Sequence, residues 1–141
     1  MIKSLFDIVD VWQSVDRASV VTELVKRQLA RTSAGRCEIL GQVNTTSEVD
    51  KGGCDPTEVE ALVHQARQGG LDVTGLMTVG PTDMDPMKTR AAFGLLKRMA
   101  TDLGVDKLSM GMTADVEIAV EEGSTLVRVG TALFGQRPHS V

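Results

Sequence analysis

Apolar residues along the chain recur with two alternating periods, which predict strands and helices in turn. Short β-rich apolar runs predict five strands, and a segment with apolar residues at helical spacing follows each of them. The predicted strands are 9–15, 37–43, 73–79, 107–110 and 125–129. This alternation is typical of βα units around a parallel sheet, so the pattern predicts an α/β fold.

Cap and breaker residues mark the ends of the predicted helices. Asp55 and Glu58 stand three positions apart around Pro56, as in a capping box with proline at the first helical position. The apolar stripe of the second helix runs from Val20 to Leu29. Helices are predicted at 2–9, from an N-cap at Asp16 to before Gly35, from Asp55 to Gly69, from Asp85 to Gly104, at 116–122 and at 131–134.

Composition and charge exclude several classes of protein. The 141 residues, 42% hydrophobic and 24% charged, predict a single globular domain over 1–141. The net charge is −4 and the basic residues are scattered, so a nucleic-acid partner is not expected. No apolar run has the length of a signal peptide or a membrane span, so no membrane partner is expected and a cytoplasmic location is predicted.

Several conspicuous residues are interpreted as structural. Cys37 and Cys54 form no CxxC pair and have no histidine at ligand spacing, so they are predicted to be reduced thiols without a metal. His64 and His139 have no acid or nucleophile nearby in sequence and are predicted surface residues. Trp12, the methionines and the phenylalanines are interpreted as core residues.

Two segments after the last two predicted strands are suited to bind an oxyanion. Ser109-Met110-Gly111-Met112-Thr113 follows the fourth strand, Gly130-Thr131-Ala132 follows the fifth, and each leads into a helix. Glycine allows close backbone approach, and a hydroxyl and the N–H groups of a helix start can donate to a phosphate. Each segment alone is weak evidence, because glycine and hydroxyl residues at a junction between strand and helix more often form an ordinary turn or cap. Because β/α barrels often hold a phosphate between these two loops, the pair predicts a phosphate site.

Arg128 is the other candidate, because it lies in the last predicted strand. Alternation along that strand places Arg128 with Leu126 on one face and Val127 with Val129 on the other. If the valines pack under helices, the guanidinium points into the barrel interior, where an unpaired charge costs several kcal/mol. Two hypotheses stay open: a structural ion pair with a carboxylate, or a contact with a ligand.

One long run resembles the C-terminal signature of the pyridoxal 5'-phosphate (PLP) homeostasis proteins, whose fold is similar to the N-terminal domain of alanine racemases. It extends from Leu108 to Arg137 and reads LSMGMTADVEIAVEEGSTLVRVGTALFGQR. Upstream, WQSVD from Trp12, GQVN from Gly41, Lys51-Gly52 and GLMTV from Gly75 occur in the family's order. The resemblance covers essentially the whole chain. It implies a partial TIM (β/α)8 barrel whose five strands are the fourth to eighth of the family barrel.

The resemblance also implies a function, which is PLP binding and homeostasis by a carrier that catalyses no reaction. By this resemblance, Ser109, Gly130 and Thr131 would hold the phosphate, and Arg128 would face the pyridine nitrogen. Met110, Gly111 and Met112 would shape the surrounding loop. A permanently charged arginine disfavours protonation of the ring nitrogen and so weakens the electron sink of PLP catalysis. The chain also lacks any tyrosine, the second acid/base of alanine racemases.

The departures from the family are as informative as the match. The first three strands are missing by this comparison, including the one with the Schiff-base lysine, so a truncated chain with only noncovalent PLP contacts is expected. Lys51 and Lys107 do not stand at an equivalent place. The open sheet edges of an incomplete domain predict association with a complementary N-terminal fragment or self-association. The alternatives are an inactive fragment or interaction module without ligand and, less favoured, a PLP-dependent racemase relative.

Overall fold

The structure, a computed structural model, describes residues 1–32 and 34–136, so Arg137 and His139 lie outside the described residues. Helices alternate with strands along the chain, as the sequence predicts. The elements are α1 Ile2–Leu5, β1 Val11–Val15, α2 Ala18–Ala30, β2 Glu38–Gln42, a 3-10 turn Pro56–Glu58, α3 Val59–Gln68, β3 Asp72–Met77, α4 Pro86–Leu103, β4 Lys107–Met112, α5 Val116–Glu121, β5 Leu126–Arg128 and α6 Thr131–Phe134.

The five strands form one parallel sheet in the order β1-β2-β3-β4-β5. Strong curvature of this sheet is shown by a hydrogen bond of 2.6 Å between Ser109 Oγ on β4 and Gln13 Oε1 on β1. In a flat sheet, three strand spacings of about 4.8 Å each would separate these strands. The prediction of a partial barrel of five parallel strands is confirmed, and within the described residues β1 and β5 are the two edges of the sheet.

Local capping explains where the 3-10 turn and α4 begin and where α4 ends. Asp55 accepts a hydrogen bond from Thr57 N at 2.8 Å, and its own N–H donates to Glu58, which confirms the capping box. Gly104 ends α4 in the left-handed conformation at φ 69. The prediction of Asp16 as a cap is wrong, because Arg17 is the N-cap of α2 and the Asp16 carboxylate accepts from Gly53 N at 3.3 Å instead.

The apolar core lies between the sheet and the helices that cover it. Helix α2 buries Val21 and Leu24, α3 buries four residues, and α4 buries an apolar face that includes the fully buried Phe93 and Leu96. The strands contribute fully buried side chains such as Leu76 and Met110. These contacts hold the helices on the outside of the curled sheet, and polar side chains such as Gln13 and Ser109 meet across its concave side.

Burial corrects several predictions from periodicity. Helix α1 ends at Leu5 rather than at Val9, and Ile8 just beyond it is 74% exposed, so little apolar burial is available to extend the helix. Leu29 is 78% exposed at the end of α2, although it continues the apolar stripe. The core interpretation holds for Phe6, Phe93, Met77 and Met110 and is wrong for Met1, Met84, Met87, Met112 and Phe134, which are exposed.

The structure also tests the predictions for the cysteines, for His64 and for membrane-spanning helices. Cys37 and Cys54 are free and buried, and burial raises the pKa of each thiol to about 11. His64 is exposed, as predicted. In ranges 1–32 and 34–136, no helix combines the length and hydropathy needed to cross a bilayer.

Candidate functional site

Strand β4 runs through the first segment that the sequence predicts as a loop. The strand continues to Met112, so the prediction that it stops at Met110 and that a loop occupies Ser109 to Thr113 is wrong. Ser109 and Met110 are each fully buried, and Met110 packs in the apolar core. Met112, by contrast, is 42% exposed at the end of the strand.

Gly111 is required by the packing of the protein's own helix. Its φ is +100, and a Cβ atom placed on it would lie 2.5 Å from the Cβ of Ala119 on α5. No L-residue with a side chain fits this position without moving the helix. The sequence pattern predicts that this glycine lets a ligand approach the backbone closely. In the structure it lets α5 approach β4 closely.

The guanidinium of Arg128 is held by two neutral acceptors. Its Nη1 donates to Ser109 Oγ at 2.7 Å, and its Nη2 donates to the carbonyl oxygen of Thr78 at 2.8 Å. Both bonds direct the side chain from β5 toward the neighbouring strands, as the alternation predicts. The part of the chain that the structure describes contains no ion pair of Arg128 with a carboxylate, so it does not support the ion-pair hypothesis.

Burial sets the electrostatics of this arginine. Desolvation lowers the pKa of Arg128, and the charge of Asp115 acts in the opposite direction without a direct contact. Asp115 instead accepts a hydrogen bond from Met112 N at 2.6 Å. Because a guanidinium keeps its proton in proteins, this half-buried group is a positive charge whose side-chain hydrogen bonds, within the described residues, go to two neutral oxygens. Such a charge favours an anionic or electron-rich ligand.

A chain of polar groups continues from Arg128 across the concave side of the sheet. Ser109 Oγ donates to Gln13, and Thr78 Oγ1 donates to the carbonyl oxygen of Val43 at 2.8 Å. Because Thr78 has one hydroxyl hydrogen, Thr45 must be the donor in the 2.8 Å contact between their hydroxyls. Sequence reasoning missed Gln13, Thr45 and Thr78, whose partners are remote in sequence, so no local pattern could reveal them.

A cavity of about 680 Å³ opens beside Arg128. A Cβ atom on Gly130 would meet no atom within 4 Å, so the backbone there is open. The N–H groups of Gly130 and Thr131 have no backbone acceptor within the described ranges. The cavity is lined by Met84, Met112, Thr113, Ala114, Arg128, Val129, Gly130, Thr131 and Gln136. It thus brings together four of the predicted site residues and does not include Ser109, Met110 or Gly111.

A larger cavity of about 740 Å³ lies between α4 and the loops after β2 and β3. Its Glu48 is paired with Lys51 at 2.7 Å, and its Lys88 is paired with Asp83. Arg98 also lines it, on the exposed side of α4. The smaller cavity is the better candidate, because its cation is partly buried and has no carboxylate partner in the described part of the chain.

A family model for the N-terminal domain of alanine racemase matches residues 3–138. The chain belongs to this family. A protein of Pseudomonas aeruginosa named pyridoxal phosphate homeostasis protein is 38% identical over 129 residues, which cover 89% of this chain and 55% of that protein. The resemblance seen in the sequence is thereby confirmed.

Solved structures show the same fold. An unknown protein from Bifidobacterium adolescentis is 34% identical with a TM-score of 0.86, covering 94% of this chain and 56% of that chain. PipY of Synechococcus elongatus PCC7942, with PLP bound, is 29% identical with a TM-score of 0.80, covering 94% of this chain and 64% of that chain. This member of the alanine racemase family thus spans 55–64% of the length of these three relatives.

Proposed function

We propose that this chain binds PLP noncovalently and carries it without turning over a substrate. The observation that carries the proposal is the half-buried guanidinium of Arg128, which has no carboxylate partner in the described ranges and lines a cavity of about 680 Å³. The PLP bound in the related PipY structure supports the choice of cofactor.

The residues around the cavity fit the chemistry of PLP. Gly130 and Thr131 offer N–H groups and a hydroxyl at the start of α6, which suit the phosphate. Arg128 retains N–H groups beyond the two already bonded and would donate to the pyridine nitrogen. Met112 would contact the ring from the end of β4.

The other three predicted site residues have a different place in the proposal. Ser109 acts on the cofactor through Arg128, because its hydroxyl is fully buried and bonded to that side chain. Met110 and Gly111 shape the end of β4 through the core and through contact with α5. A direct contact of Ser109, Met110 or Gly111 with PLP stays a prediction.

A carrier role follows from the charge on Arg128. PLP supplies an electron sink for catalysis when its ring nitrogen is protonated, and a fixed positive charge beside that nitrogen opposes protonation. Lys51 donates to the Gly80 carbonyl and pairs with Glu48, and Lys107 pairs with Glu38, so both lysines already have partners. We therefore expect neither a Schiff base nor racemase activity in this chain.

Titration with PLP tests the proposal, with binding followed by backbone amide signals and by the fluorescence of Trp12, the sole tryptophan. Arg128→Met should weaken PLP binding by at least about tenfold, because it removes a hydrogen-bonded charge worth about 1.5–3 kcal/mol. Arg98→Met is the matched control at the larger cavity and should leave the affinity unchanged. PLP-induced shifts should concentrate at Met112, Arg128, Gly130 and Thr131.

Three results would contradict this function. Absence of any PLP-dependent shift would favour the inactive fragment or interaction module. Reduction with borohydride that fixes PLP to a lysine would contradict noncovalent binding. Amino-acid racemisation above a control with PLP alone would favour the racemase relative.

We also propose that the open edges of the sheet associate with a complementary strand-bearing fragment or with a second copy of the chain. Edge strand β5 carries Leu126 and Val127 at 37% and 43% exposure, and Phe134 on α6 is 86% exposed. Light scattering during size-exclusion chromatography tests this part, and a stable monomer over a wide concentration range would contradict self-association.

A further inference from the structure

Gln13 connects the first strand of the sheet to the candidate site. It lies in edge strand β1, and its Oε1 accepts the hydrogen of Ser109 Oγ at 2.6 Å from a residue 96 positions later in the chain. Its neighbour Ser14 is exposed and, among the described residues, forms no side-chain hydrogen bond to Ser109 or Arg128. The only connection from β1 to Arg128 that the described residues provide by side-chain hydrogen bonds runs through this glutamine and Ser109.

The direction of the Ser109 hydroxyl decides how Arg128 is held. A serine hydroxyl has one hydrogen and two lone pairs. Because the hydrogen is directed to Gln13, a lone pair faces the guanidinium, whose Nη1 donates to it at 2.7 Å. Ser109 is fully buried, so bulk solvent does not offer its hydroxyl a replacement acceptor. The amide of Gln13 therefore fixes one of the two acceptors of Arg128.

We propose that Gln13 is a positioning residue that acts through Ser109 to aim the Arg128 guanidinium at the pyridine nitrogen of the cofactor. This inference rests on the proposed function and deepens it. The Thr78 carbonyl fixes the second acceptor, so the two bonds together set the plane of the guanidinium. Without the glutamine, the Ser109 hydrogen has no acceptor and the hydroxyl turns, which removes one of these two constraints.

A purely structural role makes a different prediction. The same hydrogen bond ties β1 to β4, so its loss could loosen the barrel as a whole. In that case, binding of every ligand falls together with stability. A positioning role instead predicts a loss confined to ligands that have a ring nitrogen.

Three substitutions separate these roles. Gln13→Met keeps the length of the side chain and removes the acceptor, Gln13→Glu keeps an acceptor oxygen, and Ser14→Ala is the matched control on the same strand. For each variant, dissociation constants are measured for PLP, for its deaza analogue with a C–H in place of the ring nitrogen, and for inorganic phosphate. Urea midpoints report stability.

We expect the wild-type chain to bind PLP more tightly than the deaza analogue. Gln13→Met should weaken PLP binding about tenfold, which corresponds to about 1.4 kcal/mol, and leave the analogue and phosphate unchanged. Gln13→Glu and Ser14→Ala should keep the preference for PLP. An equal loss for all three ligands, with a lower urea midpoint, would overturn the positioning role.

The remaining outcomes distinguish this inference from the function on which it rests. A wild-type chain that binds PLP and the deaza analogue equally well refutes the inference and leaves PLP binding intact. A chain that binds no PLP refutes both. If Gln13→Met does not fold, the NMR signals of the Arg128 Nη hydrogens in the wild-type chain decide the question. Acceptors that are fixed in place predict separate signals, and rotationally averaged signals would refute the positioning role.

Discussion

Substitution of Gly111 by alanine tests whether this glycine serves helix packing. An alanine at φ +100 has an unfavourable left-handed backbone, which costs about 1–2 kcal/mol. The new Cβ would also lie 2.5 Å from the Cβ of Ala119, far inside van der Waals contact, and overpacking of this kind costs about 1–3 kcal/mol. The two effects add to about 2–5 kcal/mol, a large part of the stability of an ordinary domain.

Urea unfolding followed by the fluorescence of Trp12 measures this loss. Gly94→Ala is the matched control, because its Cβ would have only ordinary contacts, the nearest at 3.5 Å, and it lies within α4. Gly94→Ala replaces a glycine inside a helix and should therefore stabilise the chain by about 0.5–1 kcal/mol. Combining Gly111→Ala with Ala119→Gly should recover about 1–3 kcal/mol relative to additivity, because the overlap disappears while the backbone strain remains.

A free energy of unfolding for Gly111→Ala within about 0.5 kcal/mol of wild type would refute this reasoning. If the variant kept its stability and lost PLP binding, the glycine would serve approach of the ligand. The experiment therefore separates the packing explanation from the close approach of a ligand that the sequence pattern predicts at Gly111.

Two further predictions concern titratable groups. Hydrogen bonds from Lys51 and Thr82 lower the pKa of Glu48 from 4.5 to about 2, so its contribution to stability is present above pH 4.5 and is lost as the pH falls toward 2. Glu48→Gln should flatten the fall of the urea midpoint in this range, and an unchanged pH profile would contradict it. Burial raises the pKa of Cys37 and Cys54 to about 11, so a thiol reagent at pH 8 should modify neither in the native chain and both in urea. Rapid modification of either thiol in the native chain would contradict this prediction.

Local sequence patterns determined the order and kind of the elements. The capping box at Asp55, the N-cap at Asp85 and the terminating Gly104 act within a few residues of their own position, so they are recognisable without a structure. The alternation of strands and helices gave the parallel sheet for the same reason. The family resemblance added the barrel, and the Arg128 side chain could be assigned to its face from strand alternation alone.

Only the tertiary structure decided which groups meet at the site. The bond from Ser109 to Gln13 and that from Arg128 to Thr78 join residues 96 and 50 positions apart, and they exist because the sheet curls. The structure also shows that β4 continues to Met112, beyond its predicted end, and that the side chain of Met110 packs in the core. Sequence periods describe the faces of single elements, whereas the partners of a buried polar group depend on how several elements pack around it.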